Sequence, residues 1–370
     1  MTLATALLTG NDPDPQLAEA AVEQAMQQSG LAQAQGVLLF LTPEFARHAQ
    51  PIVTAIARRT RCMQVAGGIA SGVFTESGWA LDRPAAAAMV LGGRFSLGYA
   101  DESDAPLVSW AGGTIPSVWR SHPPRLGGAF GSTFAVRPVD TNAIVWQQAR
   151  LAGDTGCSVP LHGACIDIGI SRGWRTLSTP QAIEQGHGYE LRRLGHTSAL
   201  RNLLNVLPPA FRLEPERHLH QLVALLGDAD PLKDSLIPAA IIAVNADGCV
   251  TLAERIEPGR KLTWAIRIPE TAEADMRETV EKLAREQETH GVPPAGALMF
   301  SCIGRSPFFY GGEDRDLHAF TERFPGLPIL GVYGTAQIAP LGDGAGTHND
   351  QFQNSVVTAL MTPQAEEVDV

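Results

Sequence analysis

Apolar residues along this chain arrive in short runs separated by breaks rich in glycine, proline and aspartate. Leu3–Leu8 is a run of strand length closed by Gly10-Asn11-Asp12-Pro13, which reads as a strand followed by a turn. Asp14 then supplies a helix cap with Pro15 at the first helical position. Leu17, Ala18, Ala21, Val22, Ala25 and Met26 recur at helical spacing as far as Gly30. The unbroken run Gly36–Leu41 suits a strand buried on both faces. Thr42-Pro43 opens a second helix, with Pro51 marking a kink or restart before Ile52, Val53 and Ile56. Cys62–Ala66 is a third strand, running into Gly67-Gly68-Ile69-Ala70-Ser71-Gly72. Strand–helix–strand–helix–strand predicts parallel pairing with right-handed crossovers.

The same order returns near the C-terminus. Lys261–Ile268 reads as a strand, and a helix runs from Thr271 to about His290. Gly296–Cys302 is the next strand, followed by the Gly304–Gly312 loop, a helix around Asp316–Phe324, and Pro328–Leu330 entering Gly331-Val332-Tyr333-Gly334. Each glycine-rich turn precedes an expected hairpin. One joins Val73-Phe74 to Ala88–Leu91 through Glu76-Ser77-Gly78; the other joins Ile338 to Asn354–Leu360 through Gly342–Gly346. The expected fold class is therefore α/β, with two related halves produced by duplication and mixed, partly parallel sheets packed into a layered sandwich. The middle, Phe95–Leu236, is turn-rich, with Gly112-Gly113 and Gly127-Gly128 read as turns, strands at Ile166–Ile170 and Trp174–Leu177, and helices at Ala199–Leu207 and Pro215–Leu226. A boundary falls near Asp228–Asp234, giving expected domains at 1–230 and 231–370.

Composition narrows the function classes. The chain has 370 residues, 44% of them hydrophobic and 18% charged, enough for a sizeable core without disulfides or metals. Its 28 Lys+Arg against 39 Asp+Glu leave a formal net charge of -11, which disfavours nucleic-acid partners. No apolar run reaches the length of a membrane span, and MTLATALLTGNDPDP lacks the basic start of a signal peptide. Five scattered cysteines without a Cys-x-x-Cys suit a reducing compartment, so a cytoplasmic, bacterial-type protein is expected.

Candidate chemistry sits at the expected strand ends, where open α/β sheets bind ligands. Cys302 closes a strand and reads either as a ligand contact or reactive thiol, or as a small apolar residue filling the strand end. Arg305 reads either as a carboxylate or phosphate clamp, or as a salt-bridge partner of Glu313, Asp314 or Asp316. Gly68 and Gly331 would let backbone approach a ligand, and Ser71, Tyr333 and Gln337 are the polar groups such turns would aim at a pocket. Cys157, His162 and Cys165 offer metal-ligand types within nine residues but fit no common zinc spacing.

Taken in order, these segments resemble the FIST family, a sensory domain with an N-terminal and a C-terminal part. GALMFSCIGR (Gly296–Arg305), PILGVYGTAQIAP (Pro328–Pro340), QNSVVTAL (Gln353–Leu360) and PGRKLTWAIR (Pro258–Arg267) resemble the C-terminal part. GVLLFLTPEF, QVAGGIASGVF (Gln64–Phe74), GISRGWRTL (Gly169–Leu177) and HTSALRNLL (His196–Leu204) resemble the N-terminal part. One departure is Ala336-Gln337, where the family usually carries Gly-Glu. The resemblance implies FIST N-type residues 1–230 and FIST C-type residues 231–370. It also implies a sensor of a small ligand, such as haem with nitric oxide, an amino acid or another metabolite. Output would pass to a histidine kinase, a cyclic-dinucleotide enzyme or another signalling protein on a separate chain. Haem would need an axial residue in an apolar slot, with His48, His162 and His196 as candidates. The rival readings are a hydrolase-like enzyme using Cys302 and Arg305 at the junction of the halves, and a pure protein-interaction module.

Overall fold

The computed structural model describes residues 3–99, 107–121, 123–130, 144–152, 156–227, 236–341 and 348–364. It divides into two compact units: Met1–Arg172 with Met276–Val370, and Gly173–Asp275. The split expected at 230/231 follows chain order, whereas these units do not. No helix among the described residues is long and apolar enough to cross a membrane.

The first unit begins with β1 (Leu3–Thr9), α1 (Pro15–Ser29), β2 (Gly36–Leu41), α2 (Ala49–Thr60), β3 (Val65–Ile69), the hairpin β4 (Gly72–Thr75) and β5 (Gly78–Leu81), and β6 (Ala85–Leu91). Asp14 caps α1 by accepting from Gln16 N, and Gly30 ends it in the left-handed conformation, as the sequence indicates. The chain continues through β7 (Ser96–Leu97), β8 (Leu107–Ala111), β9 (Arg125–Ala129), the hairpin β10 (Val145–Gln147) and β11 (Arg150–Ala152), and β12 (Cys157–His162). β13 (Ala164–Ser171) then leads into the second unit. That unit holds β14 (Arg175–Thr176), β15 (Gln181–His187), β16 (Glu190–Leu194), β17 (Thr197–Ser198), α3 (Ala199–Val206), α4 (Pro209–Arg212), β18 (Leu222–Gly227), β19 (Leu236–Val244), β20 (Val250–Leu252) and β21 (Lys261–Ile266). α5 (Pro269–Glu288) re-enters the first unit, followed by β22 (Gly296–Cys302), α6 (Arg315–Arg323), β23 (Ile329–Gly334), the hairpin β24 (Ala336–Leu341) and β25 (His348–Phe352), and β26 (Val356–Pro363).

Among the described residues, the sheets of the first unit run β1-β6-β2-β3-β10-β11, β7-β12-β8-β9-β24-β25 and β13-β26-β22-β23-β4-β5. The three orders are the same motif. In each, a parallel pair (β2/β3, β8/β9, β22/β23) is flanked by antiparallel neighbours. Each copy gives its hairpin away: β4–β5 joins the third sheet, β10–β11 the first, and β24–β25 the second. The duplication expected from sequence is thus a triplication with cyclic hairpin exchange. The additional copy, β7–β12, lies in the middle segment that sequence patterning read as turn-rich.

Side-chain alternation sorts each strand into an inner and an outer face. Leu38, Phe40, Val108, Trp110, Leu298 and Phe300 enter one shared apolar core. Val37, Leu39 and Leu41 face α1 and α2, while Ala297 and Met299 meet α5 and α6. Both faces are covered, which is why these strands read as unbroken apolar runs.

In the second unit, β21-β15-β16-β20-β19-β18 forms an antiparallel path that β18 closes by pairing with β21. Its interior packs Leu191, Leu203, Leu226, Leu262 and Trp264, and Trp264 Nε1 donates to Asn202 Oδ1 at 2.9 Å.

Several expectations change. β6 lies between β1 and β2 and runs antiparallel to both, so β2/β3 is the parallel contact. Lys261–Ile266 is a strand, but it belongs to the second unit, and the strand beside β26 is β13. The hairpin partner of Val73-Phe74 is Gly78–Leu81, not Ala88–Leu91. Pro215–Gln221 is a 3₁₀ turn and Leu222–Gly227 a strand, because its apolar run is shared by the closed sheet. Gly127-Gly128 lies inside β9, not in a turn. Asp228–Asp234 and Gly342–Gly346 lie outside the described residues.

Close backbone approach explains the two glycine pairs. A Cβ on Gly67 would stand 1.6 Å from Leu39 O, and one on Gly127 1.7 Å from Ser109 O. Gly67→Ala and Gly127→Ala are each expected to lower stability by at least about 1–3 kcal/mol in urea unfolding, the range for overpacking. Gly113→Ala, with open space around it, is the control and should leave stability unchanged. Equal midpoints for all three variants would remove this account of the strand crossings.

Candidate functional site

The carboxyl ends of β22 and β23 hold a buried polar cluster. β22 ends at Cys302 and turns directly into the 3₁₀ segment Ile303–Arg305, which points the Arg305 side chain inward. Arg305 is fully buried and bidentate to Asp316: Nε donates to Oδ2 at 3.0 Å, and Nη2 donates to Oδ1. Nη1 donates to Ser171 Oγ at 2.7 Å and to Ser171 O at 3.2 Å. Tyr310 OH donates to Asp316 Oδ1 at 2.9 Å. Asp314 caps α6 by accepting from Leu317 N at 2.9 Å, and Tyr333 OH donates to its other oxygen. Both carboxylates stand at the amino end of α6, where the helix field favours negative charge.

Both carboxyls are buried and feel the same buried guanidinium, Arg305. Burial raises the Asp316 carboxyl to about 6, with Arg305 opposing and Asp314 adding to the rise. Burial also raises Asp314, against the pull of Leu317 N–H and the Tyr333 hydroxyl. Tyr333 is pushed well above the ordinary phenol value, first by burial and then by Asp314.

The sequence-derived candidates fall as follows. Arg305 takes the salt-bridge alternative, with Asp316 as partner. Cys302 is buried and pairs with Gly334; its N–H donates to Ser355 O at 3.0 Å. With its amide turned so that the oxygen faces that N–H, buried Gln337 accepts from it at 3.1 Å and donates to Ser355 O at 3.1 Å. Ser71 is half-buried and donates its N–H to Tyr333 O at 3.1 Å. Gly68 opposes Val145, and Phe130 fills the space between Gly68 and Gly334. Cys302, Gln337, Tyr333 and Ser71 are thus brought together at the strand ends, in the region where the exchanged hairpins dock. Asp314 and Asp316 were legible as partners of Arg305. Ser171, 134 positions before Arg305, carried no local signal.

Cys157, His162 and Cys165 do not form a metal-ligand group among the described residues. Cys157 lies in the shared core with its thiol pushed up to about 12 by burial, while Cys165 is on β13. His48 is exposed, and the His196 side chain is 92% exposed and bonded to Glu184. His162 packs against Gly98, where a Cβ would lie 2.1 Å from its Nε2. The exposed His48 and His196 are not set in the apolar slot that haem ligation requires.

A groove of about 480 Å³ opens at the other end of the same strands. Leu3, Ala295, Arg323, Phe324, Leu327 and Pro328 line it. Arg323 Nε is paired to Glu281 and its Nη2 to Glu288, both at 3.2 Å, so its charge is compensated. α6 connects the two sites: its amino end carries Asp314 and Asp316, and Arg323 and Phe324 at its carboxyl end line the groove.

Residues 199–340 match the family model of the FIST C domain. The match begins upstream of the expected boundary at 231. The chain is similar to the uncharacterized protein Rv0628c of Mycobacterium tuberculosis (strain ATCC 25618 / H37Rv), at 26% identity over 251 residues, 66% of this chain and 60% of the relative. It is also similar to the uncharacterized protein Mb0898c of Mycobacterium bovis, at 25% identity over 251 residues, 66% of this chain and 59% of the relative. The matched part spans about 60% of the length of these relatives.

Removing one partner of the buried ion pair exposes its cost. Arg305→Met is expected to lower stability by about 3–5 kcal/mol in urea unfolding, because Asp316 is left without its cation. The raised Asp316 carboxyl makes its contribution fully present below its unfolded value near 3.9 and lost as pH rises through about 6. Asp314→Asn keeps a helix cap and removes the repulsion, so stability relative to wild type should improve between pH 4 and 6. A difference that stays flat with pH across that window would contradict the shared-cation account.

Proposed function

We propose that this chain is a sensory protein that binds a small, largely apolar molecule in the groove beside Phe324 and signals through a partner protein. The FIST C match supplies the class. The observation that carries the ligand assignment is the 480 Å³ groove, a volume suited to a drug-sized molecule. Coupling runs through α6, whose nine residues span about 13 Å. A ligand against Phe324 biases the position of this helix, and the Asp314–Tyr333 and Arg305–Asp316 contacts at its other end register the shift. The output surface is the Ser306–Gly312 loop over that cluster, where the Phe308 side chain is exposed. A histidine kinase or cyclic-dinucleotide enzyme is the partner class in this reading. It also assigns residues 1–230 to an N-type and 231–370 to a C-type segment, with a cytoplasmic location.

The exposed His48 and His196 favour a metabolite over haem as the ligand. The enzyme reading loses support because Arg305 is committed to Asp316 and Ser171 and Cys302 is buried. The groove likewise favours the sensor over a pure interaction module.

Native mass spectrometry of the chain purified from its source cells, followed by thermal-shift titration of the molecule retained, tests the proposal. Leu327→Trp fills the groove and should abolish the ligand-induced rise in Tm while leaving the unliganded Tm within a few degrees. An undiminished shift in that variant would place the ligand elsewhere and overturn the assignment.

A further inference from the structure

Cys165, Asp167 and His290 form a cluster that the signalling reading does not use. Their ligand atoms all lie within 4.8 Å of one another. β13 pairs with β26 on one side, and the alternation along it is unambiguous: Ile166, Ile168 and Ile170 pack on the shared core. Cys165, Asp167 and Gly169 therefore take the opposite face. There Gly169 lies under Thr279 and Leu283 of α5. α5 ends two residues before His290, whose Nε2 stands 3.0 Å from each Asp167 carboxylate oxygen.

A second observation comes from the neighbouring strand. Thr362 is the register partner of Cys165, so the two side chains share a face about 4.5–5.5 Å apart at Cβ. Thr362 is 1% exposed, and its hydroxyl has no hydrogen-bond partner. Among the described residues this buried hydroxyl has no partner, which carries a desolvation cost that a water held in the cluster would remove.

We propose that Cys165, Asp167 and His290 bind one divalent cation of the zinc class, with a fourth position, facing Thr362, held by water. Thiolate, carboxylate and neutral imidazole bring two negative charges to a dication and leave a neutral site. These three donor types are zinc ligands, and three protein ligands plus one open position is the pattern of exchangeable sites. In a tetrahedral site the nitrogen and oxygen ligands stand about 3.3 Å apart, close to the spacing already present. The Asp167 and His290 side chains are 15% and 30% exposed, so the cation has access from solvent. Burial, reinforced by Asp167, raises the Cys165 thiol, so metal uptake releases a proton.

The test uses the full chain, reduced and stripped with chelator, then dialysed against Zn²⁺ or Co²⁺. Wild type should take up one equivalent of zinc and show a cobalt–thiolate charge-transfer band. The other cysteines, Cys62, Cys157, Cys249 and Cys302, are buried, so that band reports Cys165. Cys165→Ser should lose the band, and His290→Ala should weaken zinc binding at least about tenfold. Thr362→Val should keep the band, and its metal-free form should be at least as stable as wild type. Absence of the band in folded wild type, or undiminished zinc uptake by the Cys165→Ser/His290→Ala double variant, would overturn the site.

Discussion

Cyclic exchange of hairpins is the constraint on which the first unit rests. Each sheet is finished by strands from another copy: β4–β5 on β23, β10–β11 on β3 and β24–β25 on β9. Each sheet therefore includes a hairpin from another copy, which ties the three together. Within two of the parallel pairs the partner carbonyl comes too close for a Cβ, and only glycine fits at Gly67 and Gly127. Because these pairings join residues far apart in sequence, loop-closure entropy opposes them until several have formed.

Within that frame, the inner faces are interchangeable and the outer faces are not. All three sheets contribute apolar side chains to one core. Outside, the first copy is covered by α1 and α2 and the third by α5 and α6, whereas Trp119 on the 3₁₀ turn Ser117–Arg120 lies against the second. The distinctive chemistry gathers on the outer layer of the third copy: the Arg305 cluster at one end of α6, the groove at the other, and His290 beyond the end of α5. A shared scaffold with one specialised face is a direct route from repetition to function, because the core tolerates variation outside it.

Local elements were legible because local physics makes them. Asp14, Pro15 and Gly30 bound α1, and the runs Gly36–Leu41 and Gly296–Cys302 are strands buried on both sides. The second copy escaped notice because its parallel pair is linked by a 3₁₀ turn, which leaves no 3.6-residue periodicity to read. Lys261–Ile266 misled for the opposite reason: a strand before a helix looks the same whether the helix returns to that sheet or to another.

The sequence alone determined the mixed α/β class, the caps, the strand runs and the family resemblance. It also supplied the acidic partners available to Arg305, because all of these depend on residues close in the chain. Tertiary structure alone decided the second copy and the exchange of hairpins. It chose Asp316 as the partner, added Ser171 from another strand, and brought Cys165 and Asp167 to His290. Strand order is set by which apolar faces can be buried together, a property of the whole assembly that no window of the sequence contains.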